Sequence, residues 1–314
     1  MSFDRIVLVK KATDLEGLLK RFSTPSQVQF HLQSRGQDYE SYKRSHELYH
    51  AALEKTQNEM PRTVTTVNID RDRLETYQFG KNDVIVAIGD AGLVVNIAKY
   101  ANEQPIVSVN PDPKRYDMVL STCTADSVQE IIKKTLDEKL PIQKLTMAEV
   151  TLDDGQIMYA VNDLFIGKKS HPSAKYHIAQ NNYTEWHSSS GIIICTGTGS
   201  TGWMTSYVKT AEALTGSKHK LPTEIPYAPE LPYLIFAVRE SFPTPNSGTK
   251  LLYGKITKDK PLTITSCMAE DGVIFSDGIE SDFLNFNAGY TATIKPSDKK
   301  VHLVRENVEE KYRK

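Results

Sequence analysis

Val84-Ile85-Val86-Ala87-Ile88-Gly89-Asp90-Ala91-Gly92 is the stretch whose reading decides the fold. Five apolar residues in a row read as a strand buried on both faces, and such strands belong to parallel sheets covered by helices. Glycines turn the chain immediately afterwards, and Leu93 to Tyr100 reads as a helix. In a parallel α/β sheet this turn lies at the carboxyl end of the strand, where ligands bind. The glycines let the backbone approach a phosphate, and the next helix offers its first N–H groups and its positive dipole end. Asp90 has two readings here. It N-caps the helix, or it holds a metal or takes up a proton.

Working outward, Ile6 to Val9 is a further strand and Leu15 to Phe22 a short helix. Tyr42, His46, Tyr49 and Leu53 share one face of a helix between Gln37 and Glu59. Thr63 to Ile69 and Pro105 to Asn110 are strands, and Ala125 to Leu140 has helical periodicity. Strands alternating with helices imply a Rossmann-like, doubly wound α/β domain over residues 1–141. From about Gln143 the texture changes. Short β-like runs follow one another, separated by Asp153-Asp154-Gly155, Asp271-Gly272 and Asp277-Gly278. One helix, Gly202 to Leu214, interrupts them. An all-β antiparallel, sandwich-like domain is expected over 142–298, followed by a charged tail at 299–314.

The chain has 314 residues, 39% hydrophobic and 25% charged, enough apolar content to exclude disorder over most of its length. Its 38 basic and 39 acidic residues leave a net charge of −1. A nucleic-acid polymer as partner would call for a basic excess. No run approaches the apolar length of a membrane helix, and no signal-peptide pattern precedes the strand at Arg5. Three scattered cysteines fit neither a disulfide framework nor a zinc site. A cytoplasmic protein without membrane attachment is expected.

Two further segments carry chemistry. In Ser189-Ser190-Gly191-Ile192-Ile193-Ile194-Cys195-Thr196-Gly197-Thr198-Gly199-Ser200-Thr201-Gly202-Trp203 a β-branched strand runs into a loop of glycines and hydroxyls. That loop suits a nucleotide or polyphosphate, but it lacks the Gly-Lys-Ser/Thr ending of a Walker loop. In Ala160 to Gly167 the pair Asn162-Asp163 interrupts an apolar strand, so at least one polar side chain needs a partner. A ligand supplies one; a bulge or a turn is the duller alternative. Cys195, at the end of its strand, reads as a packed thiol, and His171, His177 and His187 as ordinary histidines.

In this order, these segments resemble the NAD kinase family, and within it the branch that includes the mitochondrial-type enzyme of animals. The family's Gly-Gly-Asp-Gly turn corresponds to Ile88-Gly89-Asp90-Ala91, its Asn-Glu pair to Asn162-Asp163, and its Thr-Gly-Ser-Thr-Ala-Tyr loop to Thr198-Gly199-Ser200-Thr201-Gly202-Trp203. Val109 to Pro113, Ser189 to Gly191, Val238-Arg239-Glu240 and Asp277-Gly278 are branch-like. The resemblance implies phosphoryl transfer from ATP, with Mg²⁺, to the adenosine ribose 2′-hydroxyl of NAD. It makes Asp90 the base. Gly89, Ala91, Gly92, Thr198, Gly199 and Ser200 would hold phosphates. Asn162, Asp163, Ser190, Thr201, Gly202, Trp203 and Ser206 would line the NAD site. It also implies a homodimer or higher homo-oligomer. The turn departs from the family at Ile88 and Ala91, and the second pair is one methylene short at Asp163. Those departures keep open a catalytically weakened nucleotide sensor and a related kinase with a lipid or sphingoid acceptor.

Overall fold

The computed structural model describes residues 3–115, 119–216, 224–245 and 247–306. Contacts divide the chain into two compact units. One is built from the residues up to Gln143 together with those from His302. The other runs from Lys144 to Val301.

The first unit contains β1 (Arg5–Lys10), α1 (Asp14–Phe22), α2 (Pro25–Gln33), α3 (Tyr39–Asn58), β2 (Thr65–Asp70), β3 (Asp83–Ile88), α4 (Ala91–Tyr100), β4 (Pro105–Asn110), β5 (Cys123–Thr124) and α5 (Val128–Leu136). The strands pair in parallel in the order β2-β1-β3-β4-β5. The chain goes from β1 outward to β2, then returns to the other side of β1 for β3. The strand order therefore reverses at β1 and β3, and the crevice beyond the carboxyl ends of those two strands is the switch point where such sheets bind ligands. All six residues of β3 and all six of β4 are buried, as their mainly apolar sequences require. The core joins Ile6, Val86, Ile88 and Val107 to Leu53 of α3 and Ile131 of α5. α2 falls in a stretch whose sequence pattern marks no element. In the structure Thr24 caps it and Pro25 occupies its first turn, where the missing N–H costs nothing.

The second unit contains β6 (Ile142–Leu152), whose first two residues belong to the first unit, β7 (Ile157–Ala160), β8 (Asp163–Lys168), β9 (Ala174–Gln180), β10 (Tyr183–Ser189), β11 (Ile192–Cys195), α6 (Trp203–Thr215), β12 (Leu234–Val238), β13 (Tyr253–Ile256), β14 (Leu262–Ser266), β15 (Gly272–Ser276), β16 (Phe283–Asn285) and β17 (Thr291–Val304). One antiparallel sheet has the order β13-β12-β11-β8-β15-β16. The other runs β10-β9-β14-β17, with β6 beside β17 and β7 beside β6. Inward side chains of both, such as Ile166, Ile194 and Phe236 against Tyr176, Ile178 and Ile264, form one core. This is a β-sandwich.

Residues 299–304 are not a tail. They finish β17, and His302 and Leu303 pair in parallel with Pro105 and Ile106 of β4. Among the described residues, no helix is long and apolar enough to cross a membrane.

Candidate functional site

The site in the first unit is built at the switch point. Gly89 leaves β3 at φ +156°, and a Cβ there would press on the Leu93 side chain at 3.2 Å. Asp90 follows as the N-cap of α4, its Oδ1 accepting the Leu93 N–H at 3.2 Å. The capping reading of Asp90 therefore holds, but it uses only one carboxylate oxygen. The other oxygen forms an ion pair with Lys11 Nζ. Lys11 is the first residue beyond β1, so the two ends of the switch point supply one charge each. The Lys11 N–H donates to the Tyr49 hydroxyl of α3 at 3.0 Å, which fixes the start of the loop. A small cleft lined by Lys11, Thr13, His46, Tyr49, Gly89 and Asp90 opens beside the pair.

Both departures from the family turn are accommodated without strain. Ile88 is the last residue of β3 and is fully buried in the core. Ala91 is the first residue of α4 and has helical geometry. The unusual φ falls on Gly89 instead. A Cβ at Gly92 would come 3.3 Å from Asp90 Oδ1, so glycine there leaves the carboxylate room.

The site in the second unit is a lacing of three segments. The chain leaves β7 at Val161-Asn162 and enters β8 at Asp163, passing from one sheet to the other. The polar pair therefore marks a crossing of the sandwich. Asp277 Oδ1 accepts N–H groups from Val161 at 3.1 Å, Asn162 at 2.7 Å and Asp163 at 3.4 Å. The Asp277 N–H in turn donates to Asp163 O at 2.9 Å. The carbonyls of the crossing turn to Thr196, whose hydroxyl donates to Val161 O at 2.5 Å and whose N–H donates to Asn162 O at 2.9 Å. The backbone of the crossing is thus satisfied from both sides. The half-buried side chains of Asn162 and Asp163 lie outside this lacing.

Gly199 is fixed by the same arrangement. A Cβ there would lie 2.0 Å from Asn162 O. Gly197 is pressed equally hard on Ala228 O, at 2.4 Å. Ser200 is fully buried, and its hydroxyl donates to Gly197 O at 2.6 Å and accepts the Tyr227 N–H at 3.0 Å. It shapes the loop. Thr198 Oγ1 is buried and lacks a hydrogen-bond partner among the described residues. Ser190, Thr201, Gly202 and Ser206 are exposed. The Trp203 ring stacks on Phe165 with centroids 5.8 Å apart, and the Arg239 guanidinium lies over it at 5.3 Å. Gly191, at φ +101°, sits where a Cβ would strike the Phe165 ring at 2.7 Å.

Burial, and then the nearby Asp277 carboxylate, push the Asp163 carboxyl up to about 7. Burial pushes the Cys195 thiol up to about 12, so it stays a packed thiol. Lys11 is the contributor outside the motifs; Thr196 and Asp277 lie within them, but their hydrogen bonds to the crossing are not anticipated there. Lys11 had one usable signal, its place at the carboxyl end of a buried strand. Asp277 had only an Asp-Gly turn.

No family model matches the chain. Over 129 residues it is 27% identical to the NAD kinase of Chloroherpeton thalassium and 29% identical to that of Caldicellulosiruptor saccharolyticus, covering 40% of this chain each time. The matched stretch spans 44% and 48% of those relatives, less than half of either. The yeast NADH kinase, solved with NADH, superposes with a TM-score of 0.61 over 98% of this chain and 85% of its own, at 12% identity. The Archaeoglobus fulgidus NAD kinase, solved with ATP, gives 0.58 over 98% and 96%, at 16% identity. The chain has the NAD kinase fold. Its sequence is similar to NAD kinases as well, so the likeness that the glycine-aspartate turn, the Asn-Asp pair and the Thr-Gly loop suggest extends to the whole NAD kinase architecture.

Proposed function

We propose that this chain is an NAD kinase that transfers a phosphoryl group from ATP to the adenosine ribose 2′-hydroxyl of NAD. The observation that carries the reading is the Asp90 carboxylate at the switch point, held by Lys11 at the mouth of a helix N-terminus. A ribose hydroxyl is a weak nucleophile, and a positioned carboxylate that accepts its proton contributes roughly 10²–10⁴-fold to the rate. Lys11 holds that carboxylate in place. The amides of the first turn of α4, at Ala91 and Gly92, face phosphate oxygens.

In the second unit Asn162 and Asp163 hydrogen-bond the nucleotide. A carboxyl titrating at about 7 is available both as donor and as acceptor to sugar hydroxyls. Thr201, Gly202 and Ser206 present exposed groups at the start of α6, and Ser190 presents another. Trp203 forms a wall, backed by Phe165, and Arg239 adds a cation above it for a diphosphate. The orphan Thr198 hydroxyl gains a partner when a ligand occupies the loop. Gly199 and Ser200 serve by holding the loop's shape.

Mg²⁺ belongs to this proposal as the counter-ion that ATP brings with it. The Asp90 oxygens meet Lys11 and the Leu93 N–H, and Oδ1 of Asp277 meets main-chain amides. A homo-oligomer and a cytoplasmic location are part of the same reading; light scattering tests the first.

The experiment is a coupled assay for NADP with ATP, Mg²⁺ and NAD, comparing wild type with Asp90→Asn. Wild type forms NADP, and the variant is slower by about 100-fold or more. Measurable NAD binding without NADP formation in wild type would overturn the kinase reading in favour of a sensor. Equal rates in both proteins would remove Asp90 as the base.

A further inference from the structure

A second cluster in the first unit begins at the edge of that cleft, whose lining includes His46. The chain reads His46-Glu47-Leu48-Tyr49-His50 within α3. Histidines four residues apart share one helical face, and their ring centroids are 4.3 Å apart. Glu16, in the first turn of α1, faces them. One nitrogen of each ring and one Glu16 carboxylate oxygen all lie within 4.8 Å of one another, and all three residues are half-buried.

We propose that Glu16, His46 and His50 form a binding site for one divalent transition metal of the zinc class. Two imidazoles with one carboxylate select such metals over magnesium or calcium, which prefer oxygen cages. Three protein ligands leave a fourth position for water. The ligands are already held by outer partners. Thr13 Oγ1 hydrogen-bonds His46 Nδ1 at 2.8 Å and fixes that ring. The Thr13 N–H donates to Glu16 Oε2 at 2.7 Å as part of a capping box, which leaves Oε1 directed at His50 Nε2, 3.0 Å away. A tetrahedral ion with bonds of about 2.0–2.1 Å needs its ligand atoms about 3.3 Å apart, so small rotamer changes close the set.

The spacing is that of the peptidase motif H-E-x-x-H, in which the glutamate beside the first histidine is the general base. Glu47 holds that place here and is exposed. The site is a binding site that ties α1 to α3. It does not depend on the kinase reading.

The test uses the full chain, stripped with a chelator and titrated with Co²⁺, then Zn²⁺. One Co²⁺ should bind per chain with the visible absorption of a low-coordinate ion, and one Zn²⁺ should displace it. His46→Ala and His50→Ala should each weaken binding by about tenfold or more, with folding followed by circular dichroism. Glu16→Gln keeps the capping box, since glutamine serves there as well, so it removes a ligand without removing the helix start. It should also weaken binding by about tenfold. Wild-type affinity in the double histidine variant, or no Co²⁺ uptake by wild type, would overturn the site. Full affinity in Glu16→Gln would overturn the three-ligand set.

Discussion

Replacing Asp163 by asparagine tests the crossing of the sandwich through its protonation. In the folded protein this carboxyl titrates at about 7, against 3.8 for an unhindered aspartate, because burial and Asp277 disfavour its charge. The folded chain therefore keeps a proton that the unfolded chain has already released. Stability falls as pH rises through this window, since the folded state binds more protons. Below the unfolded value both states are protonated and the group contributes nothing. Above the folded value the full cost applies, about three pH units at 1.36 kcal/mol each, or ~4 kcal/mol. An asparagine carries no such cost. The stability of Asp163→Asn relative to wild type should therefore rise by about 3 kcal/mol between pH 5 and pH 8. Urea unfolding read by tryptophan fluorescence suits the measurement, because both tryptophans, Trp186 and Trp203, lie in the second unit. A difference that stays flat with pH would refute the reasoning, because Asp163 would then titrate as in the unfolded chain.

Gly199→Ala places a methyl group 2.0 Å from Asn162 O, so the loop or the crossing must move. The expected loss is about 3 kcal/mol in denaturant midpoints, with weaker NAD binding by calorimetry. Asp277→Ala strands the Asn162 and Val161 N–H groups and should cost about 2–4 kcal/mol. It should also lower the Asp163 titration midpoint, which carboxyl NMR would follow. Asp90→Asn should leave thermal stability within about 0.5 kcal/mol, because asparagine caps a helix as well as aspartate. A large drop in melting temperature would show that its activity loss is a folding effect. Lys11→Met removes a partly exposed ion pair and should change stability by less than about 1 kcal/mol. Its effect should appear in NADP formation instead.

The parallel sheet was legible because Val84 to Ile88 is apolar throughout and Pro105 to Asn110 mainly so, and only a sheet covered on both faces buries such strands. The other apolar run, Ile192 to Cys195, was legible as a strand because the glycine-rich loop after it leaves it too short for a helix. What the sequence hid was polar. Residues Ala174 to Gln180 and Tyr183 to Ser189 form a hairpin whose outer positions are mostly polar, and its turn uses Asn181 and Asn182 at φ 52° and 63°. The Asn162-Asp163 pair showed that something needed satisfying, but its main-chain partners, Asp277 and Thr196, are 115 and 34 residues away. Spacing along a chain cannot show such closure. Lys11 was hidden for the same reason: its partner is 79 residues further on.

The return of β17 to the first unit has a consequence for synthesis. Val304 belongs to that unit's core, its carbonyl accepts the Thr122 hydroxyl at 2.8 Å, and Arg305 bonds the carbonyls of Val119 and Ser121 at 2.5 and 2.8 Å. The unit that begins first on the ribosome is therefore completed last. Until the segment around residue 302 has emerged, part of β4's edge has no native partner and the Thr122 hydroxyl, which already accepts the Ser108 N–H, lacks its native acceptor. The intervening β-sandwich needs no such wait, since its strands are contiguous in sequence. The first unit therefore closes only after the whole of the second has been made.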